Sequence, residues 1–341
     1  MKCIRVFFIL IFISQFIYAQ KVKDFFYTIP ETKELPVFVR GNIRNQKILL
    51  FVQGGSAENG IDFGRSNYPK WKKTLEKNVA IAYFDQRGLN KSITKIDTSK
   101  INPIQVSKDI LLIAKKLHKT YNAEIYLFGH STGGQNVLDC LATFPKEASF
   151  IKAGIAFNAP ITTDFSPERY TTYRPLYLKN LAHHFIAKDT NTAYWEKALH
   201  WMTATDSIHT PEISRQWNSY VDRAYNPKKR SIGLGMVLSV IFSRPYNPIK
   251  YLNQKDNDLV GDLLWKADRN LNRWELLPKI QHPLLLLTGQ FDAIAVPEEL
   301  EVAQKLIPNS ELIILPNCGH SPFFDQPKLF EKAVLSFIGV E

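Results

Sequence analysis

Five short apolar runs mark the first half of the chain: residues 35–40 (LPVFVR), 47–52 (KILLFV), 79–85 (VAIAYFD), 124–129 (EIYLFG) and 151–158 (IKAGIAFN). Each has the length of a strand, and nearly every position in it is apolar, as in a sheet buried on both faces. Helical patterns fall between them. The clearest opens at Asn102-Pro103, an N-cap residue followed by proline at the first helical position, and sets Ile110, Ile113, Ala114 and Leu117 on one face. Strands alternating with helices predict an α/β architecture, a mostly parallel sheet covered by helices on both faces.

The alternation stops near Pro160. From there to about Gln281 the chain is rich in Tyr, Trp, Lys and Asp, with helical stretches and no clear strand. It resumes with 283–289 (PLLLLTG), a helix over 297–306 (PEELEVAQKL), a strand over 311–316 (ELIILP) and a last helix opened by Pro327. That helix is expected to bury Leu329, Phe330, Ala333, Val334, Phe337 and Ile338. The resulting organisation is a core formed by 20–159 and 282–341, with 160–281 inserted as a helical lid.

Residues 1–19 stand apart. Lys2 and Arg5 precede an apolar stretch, VFFILIFI (6–13), and Ala19 ends the segment at a plausible cleavage point. The stretch is shorter than the ~20 residues a spanning helix needs, so it reads as a secretory signal peptide. The expected location is secreted or periplasmic, with no stable membrane insertion after cleavage. Removing the segment lowers the formal net charge from +11 to +9. The basic residues are dispersed, with PKKR (227–230) the one compact run, so no nucleic-acid partner is expected. Two cysteines then remain, Cys140 and Cys318. Cys140 lies nine residues beyond Ser131, ~13 Å of helical rise, while Cys318 belongs near the start of that helix, so no disulfide is expected.

The candidate chemistry centres on Gly129-His130-Ser131-Thr132-Gly133. Ser131 falls where an apolar strand meets a helix, and a sharp turn there lifts a hydroxyl above the carboxyl edge of a parallel sheet. A serine needs a base to take its proton and an acid to orient that base. Asp292 follows the strand 283–289 and His320 follows the strand 311–316, giving the chain order Ser, Asp, His. His282 precedes its strand and belongs at the wrong end of the sheet; His130 is read as structural. Two N–H groups must hold the oxyanion of a tetrahedral intermediate. Thr132 is one, and the loop VQGGSA (52–57) supplies the other, assigned to Gly55.

These features resemble the α/β-hydrolases from about residue 30 to the C-terminus outside the lid. Within that superfamily, YFDQRGLNKS (83–92) resembles the Asp-Gln-Arg-Gly-x-Gly-x-Ser segment of proline iminopeptidases, and VQGGSA their His-Gly-Gly-Pro-Gly loop. Gln53, Ser56 and Asn90 depart from those patterns. The resemblance implies a serine aminopeptidase working through an acyl-enzyme on a short peptide. A carboxylesterase acting on small or medium esters, and a catalytically silent binding protein on the same fold, are the alternatives. Such aminopeptidases carry lid glutamates for the substrate's amine, which makes Glu196, in AYWEKALHW (193–201) beside Trp195, the matching residue. Some of Tyr170, Tyr173, Tyr177, Trp195, Trp201, Trp217 and Tyr220 are expected to line an enclosed apolar pocket over Ser131. No metal-ligand spacing, phosphate loop or dinucleotide fingerprint occurs, so no metal or cofactor is implied.

Overall fold

The computed structural model describes residues 21–55, 59–66, 69–89, 97–225 and 255–340. The signal segment, Ser56, Asn90 and the basic run 227–230 lie outside them. Eight strands form one sheet: β1 (Lys21–Ile29), β2 (Glu34–Asn42), β3 (Lys47–Val52), β4 (Ala80–Phe84), β5 (Glu124–His130), β6 (Ile151–Phe157), β7 (Leu284–Gly289) and β8 (Ser310–Leu315). Their spatial order is β1-β2-β4-β3-β5-β6-β7-β8. β2 pairs antiparallel with β1 and β4, and every later pairing is parallel.

Strand alternation divides the core into two layers. Ile48, Leu50 and Val52 of β3 enter one cluster with Ile125, Leu127, Leu284 and Leu286. Leu49 and Phe51 enter the other with Tyr126, Phe128, Leu285 and Leu287. Successive side chains point to opposite faces, so a run apolar at every position feeds both layers. The strand absent from the sequence reading is β1. It lies at the sheet edge and is half exposed along its length, and its charges interrupt any alternation.

Short helices α1 (Gly60–Arg65) and α2 (Leu75–Asn78) lead into β4, and α3 (Pro103–Tyr121) and α4 (Thr132–Thr143) flank β5. In α3 the Asn102 side chain accepts from Gln105 N–H at 2.9 Å, and Asn122 ends the helix in the left-handed conformation. Between β6 and β7 the described chain is helical: α5 (Arg174–Ala187), α6 (Thr192–Thr205), α7 (Pro211–Ala224), α8 (Lys255–Ala267) and α9 (Arg273–Leu276). Helices α10 (Pro297–Leu306), α11 (Pro322–Asp325) and α12 (Pro327–Phe337) complete the molecule. Along α12 and its C-cap, Phe330, Val334 and Ile338 form the buried stripe at i, i+4 and i+8, whereas Leu329 is 42% exposed. One residue step turns a side chain by about 100°, which carries Leu329 off that face. Among the described residues no helix is long and apolar enough to cross a membrane, and Cys140 and Cys318 are both buried with no disulfide between them.

Candidate active site

The turn between β5 and α4 holds Ser131 at φ 53°, ψ −123°, and its N–H donates to Phe157 O at 2.9 Å. The glycines around it answer to close backbone approach. A Cβ on Gly129 would lie 2.3 Å from Gly133 O, and one on Gly133 would lie 2.0 Å from Val52 O. Both obstacles are main-chain atoms that cannot swing aside, so any larger residue would push α4 off the sheet.

The carboxyl ends of β5, β7 and β8 bring together three residues far apart in sequence. Ser131 Oγ lies 3.0 Å from His320 Nε2, and His320 Nδ1 lies 2.9 Å from Asp292 Oδ2. An ionised carboxylate only accepts, so Nδ1 carries the proton and Nε2 faces the serine as acceptor. Asp292 is fully buried. Burial works against its charge, but the His320 ring and donors including Asn158 Nδ2 at 2.6 Å and Ala295 N at 3.0 Å outweigh that, holding its pKa below the usual carboxylate value. For His320, burial and the positive charge of Arg169 oppose protonation; Asp292 outweighs both and raises the imidazole above its ordinary pKa.

Asn158 was not singled out from sequence, although it follows β6 as the other site residues follow theirs. Its φ is 50°, a conformation asparagine tolerates better than most residues. There its amide reaches both Asp292 and Gly319 O, the latter at 3.1 Å. His130 Nε2 donates to the His320 carbonyl at 2.9 Å while its ring stacks on Phe157. Burial and the neighbouring His320 push the His130 pKa down to about 3, so the ring is neutral. It braces the loop that carries His320. His282 lies at the opposite end of the sheet, where Nε2 donates to Ala148 O at 3.0 Å.

A cleft of about 170 Å³ opens over Ser131, bordered by Gly55 and Thr132. Thr132 is the first residue of α4, where the helix leaves its N–H groups without internal acceptors. Gly54 packs so closely that a Cβ there would stand 3.1 Å from Ser131 Cβ. The rest of the lining is mixed: polar Gln86, Gln135, Asn136, Thr162, Thr163, Asp164, Arg169, Asp268 and Arg273 stand beside apolar Pro103, Pro160, Leu264, Trp265 and Ile294.

That lining departs from the apolar pocket expected from the lid aromatics. Tyr177, Trp195, Trp217 and Tyr220 are buried in the lid's own core, and Tyr170, Tyr173 and Trp201 pack against it. Trp195 stacks on Phe185 with ring centroids 4.6 Å apart, and Glu196 is exposed on the next position of α6. Neither borders the cleft. Amphipathic helices that must build a small core of their own turn their large rings inward. Of the segment Asp85-Gln86-Arg87, two side chains serve as braces. Asp85 accepts from Ile61 N at 3.0 Å, and Arg87 forks onto Asp109 at 3.0 and 2.9 Å. Gln86 alone faces the cleft. Among the described residues no cluster of three or more His, Cys, Asp or Glu is arranged to hold a metal ion.

A family model described as alpha/beta hydrolase fold matches residues 47–327. A pimeloyl-[acyl-carrier protein] methyl ester esterase of Vibrio vulnificus (strain CMCP6) is 27% identical over 140 residues, 39% of this chain and 51% of that protein. The chain thus spans about half of that curated relative's length. Two solved structures share the fold. The proline iminopeptidase of Mycobacterium smegmatis gives a TM-score of 0.56 at 14% identity, covering 93% of this chain and 98% of that one. A thermophilic esterase from Thermogutta terrifontis gives 0.54 at 19% identity, covering 94% and 98%. The matched span runs from β3 to the start of α12 and encloses the whole serine, aspartate and histidine constellation, and the chain belongs to the α/β-hydrolase family.

Proposed function

We propose that this hydrolase works through an acyl-enzyme formed on Ser131, and that its substrates are esters. The observation that carries the reading is the continuous hydrogen-bonded line from Ser131 Oγ through the His320 ring to Asp292. In the first step Ser131 Oγ attacks the ester carbonyl as His320 Nε2 takes its proton. The oxyanion rests against the Gly55 and Thr132 amides. Collapse expels the alcohol, which receives the proton from His320, leaving an ester on Ser131. Water then repeats the sequence and releases the acid. Asp292 stays ionised throughout and stabilises the transient imidazolium.

The curated esterase relative supports an ester. An aminopeptidase needs a carboxylate beside the nucleophile to meet a free α-amine, and Glu196 stands away from the cleft. One observation favours that second reading: Asp164 borders the cleft with its side chain 52% exposed. A fluorophosphonate probe should label the wild-type protein and leave Ser131→Ala unlabelled. Short p-nitrophenyl esters should be cleaved, and proline p-nitroanilide should not. Cleavage of the anilide that is lost on N-acetylation would instead support the aminopeptidase. A folded protein that reacts with neither probe nor substrate would sink the catalytic reading altogether. We also propose export, on the signal-like sequence of residues 1–19, and an N-terminus beginning near Gln20 in protein recovered outside the cytoplasm is its test.

A further inference from the structure

Two arginines lining the cleft are left incompletely paired. Arg169 is 5% exposed, yet among the described residues its Nε has no hydrogen-bond partner. Its Nη1 donates to Thr162 O at a long 3.3 Å, and the nearest carboxylate oxygen, on Asp164, is 3.7 Å from Nε. Arg273, 3% exposed, gives Nε and Nη2 to Asp139 and Nη2 also to Asp268, while its Nη1 is unpartnered. A buried N–H without an acceptor is rare in folded proteins. Both guanidinium groups belong to residues that border one cleft, and each keeps an N–H that its protein partners leave unpaired.

The site lies within electrostatic reach of the chemistry. Arg169 opens a π-helical turn, Arg169–Tyr173, twelve residues after the last residue of β6, and its positive charge is felt at His320. Asp164 is an imperfect partner, beyond hydrogen-bond distance and half exposed, and it is held from another side by Trp265 Nε1 at 3.2 Å. An entering anion therefore displaces little.

We propose that Arg169, backed by Arg273, forms a subsite for a carboxylate carried on the acyl part of the substrate, so that the enzyme prefers esters of dicarboxylic acids over neutral acyl esters. This rests on the esterase reading above and names the substrate class within it. The guanidinium fork suits a carboxylate, meeting both oxygens with parallel N–H donors.

The test pairs monomethyl glutarate with methyl valerate and monomethyl adipate with methyl hexanoate, matched in length and differing in the terminal carboxylate. Wild-type kcat/KM should favour one of the two anionic esters by about tenfold or more, as expected for a charge-assisted hydrogen bond. Arg169→Gln should collapse that ratio toward one. Asp164→Asn, which keeps the arginine and removes its competitor, should raise the ratio. Hydrolysis of neutral esters without any anionic preference overturns the subsite and leaves the esterase standing. So does a preference that survives Arg169→Gln, or one that Asp164→Asn leaves unchanged or weakens. If no ester is turned over, the esterase reading fails, and the subsite is judged by adipate binding to Ser131→Ala protein in a calorimeter. Binding that Arg169→Gln removes supports it, and no binding overturns it.

Discussion

Ser131, the proposed nucleophile, sits on a backbone that suits glycine. At φ 53° its Cβ crowds the main chain, and such a conformation costs on the order of 1–3 kcal/mol in a residue with a side chain. Two variants separate that strain from catalysis. Ser131→Ala and Ser131→Gly both remove the proposed nucleophile, and both should abolish ester turnover and fluorophosphonate labelling. They differ only in the Cβ. Ser131→Gly should be the more stable by about 1 kcal/mol in urea denaturation, after allowing for the entropy of an added glycine; equal stabilities would show that the turn is relaxed. The second residue-scale prediction concerns His320. The base must be neutral, and Asp292 raises its pKa above the ordinary value of about 6.5. The acid limb of kcat/KM should therefore fall above pH ~6.5, with activity lost as pH drops through it. In Asp292→Asn the limb should move lower, and kcat should fall by ~10⁴ because the imidazole loses its oriented tautomer. A limb that stays in place in a pH–rate profile of that variant would assign the orienting role to another group.

At the scale of elements, the site depends on how tightly α4 seats against β3. Gly133 is the contact, with Val52 O where its Cβ would be. Gly133→Ala should destabilise the protein by at least ~2 kcal/mol, since overpacking costs about 1–3 kcal/mol even where side chains yield. The obstacle here is main chain. The thermal midpoint reads the loss, and turnover should fall with it because the Thr132 amide moves with the helix. The loop bearing His320 is tied from several elements, by contacts that include His130 Nε2 to His320 O, Asn158 Nδ2 to Gly319 O, and Asp325 Oδ2 accepting from Gly319 N at 3.0 Å. Histidine placement is thus set by β5, β6 and α11 together.

Across the whole molecule, the inserted helices are coupled to the nucleophile's helix through one buried ion pair. Arg273, at the start of α9, forks onto Asp139 of α4 at 2.9 Å for both bonds. Removing the arginine alone leaves Asp139 buried and uncompensated. Arg273→Met should lower stability by ~3–5 kcal/mol, and adding Asp139→Leu should recover most of that, because an apolar pair of similar volume often replaces a buried ion pair without loss. Urea midpoints of the single and double variants decide it; a double variant as unstable as the single would show that the pair contributes more than mutual neutralisation.

Local chemistry settles much of this protein before folding is considered. Runs such as KILLFV and PLLLLTG read as strands buried on both faces, Asn102-Pro103 reads as a helix start, and Gly129 to Gly133 between a strand and a helix reads as a sharp turn. The order of Ser131, Asp292 and His320, each past the end of a strand, then suffices to predict that a parallel sheet gathers them at one edge, and the structure does gather them. Tertiary packing decided the rest. Whether an aromatic ring in the lid faces the cleft or its own core depends on which neighbours surround it. Sequence spacing gives a helix face but not that face's partner, so Trp195 and Glu196 carried no signal that they would stand away from the site. Asn158 reads as one strand-end polar residue among several until β6 and β7 pair and bring it against Asp292. The cleft arginines are the extreme case. Arg169 and Arg273 are 104 positions apart in the chain, and their unpartnered nitrogens exist only because folding buries both beside the same cavity.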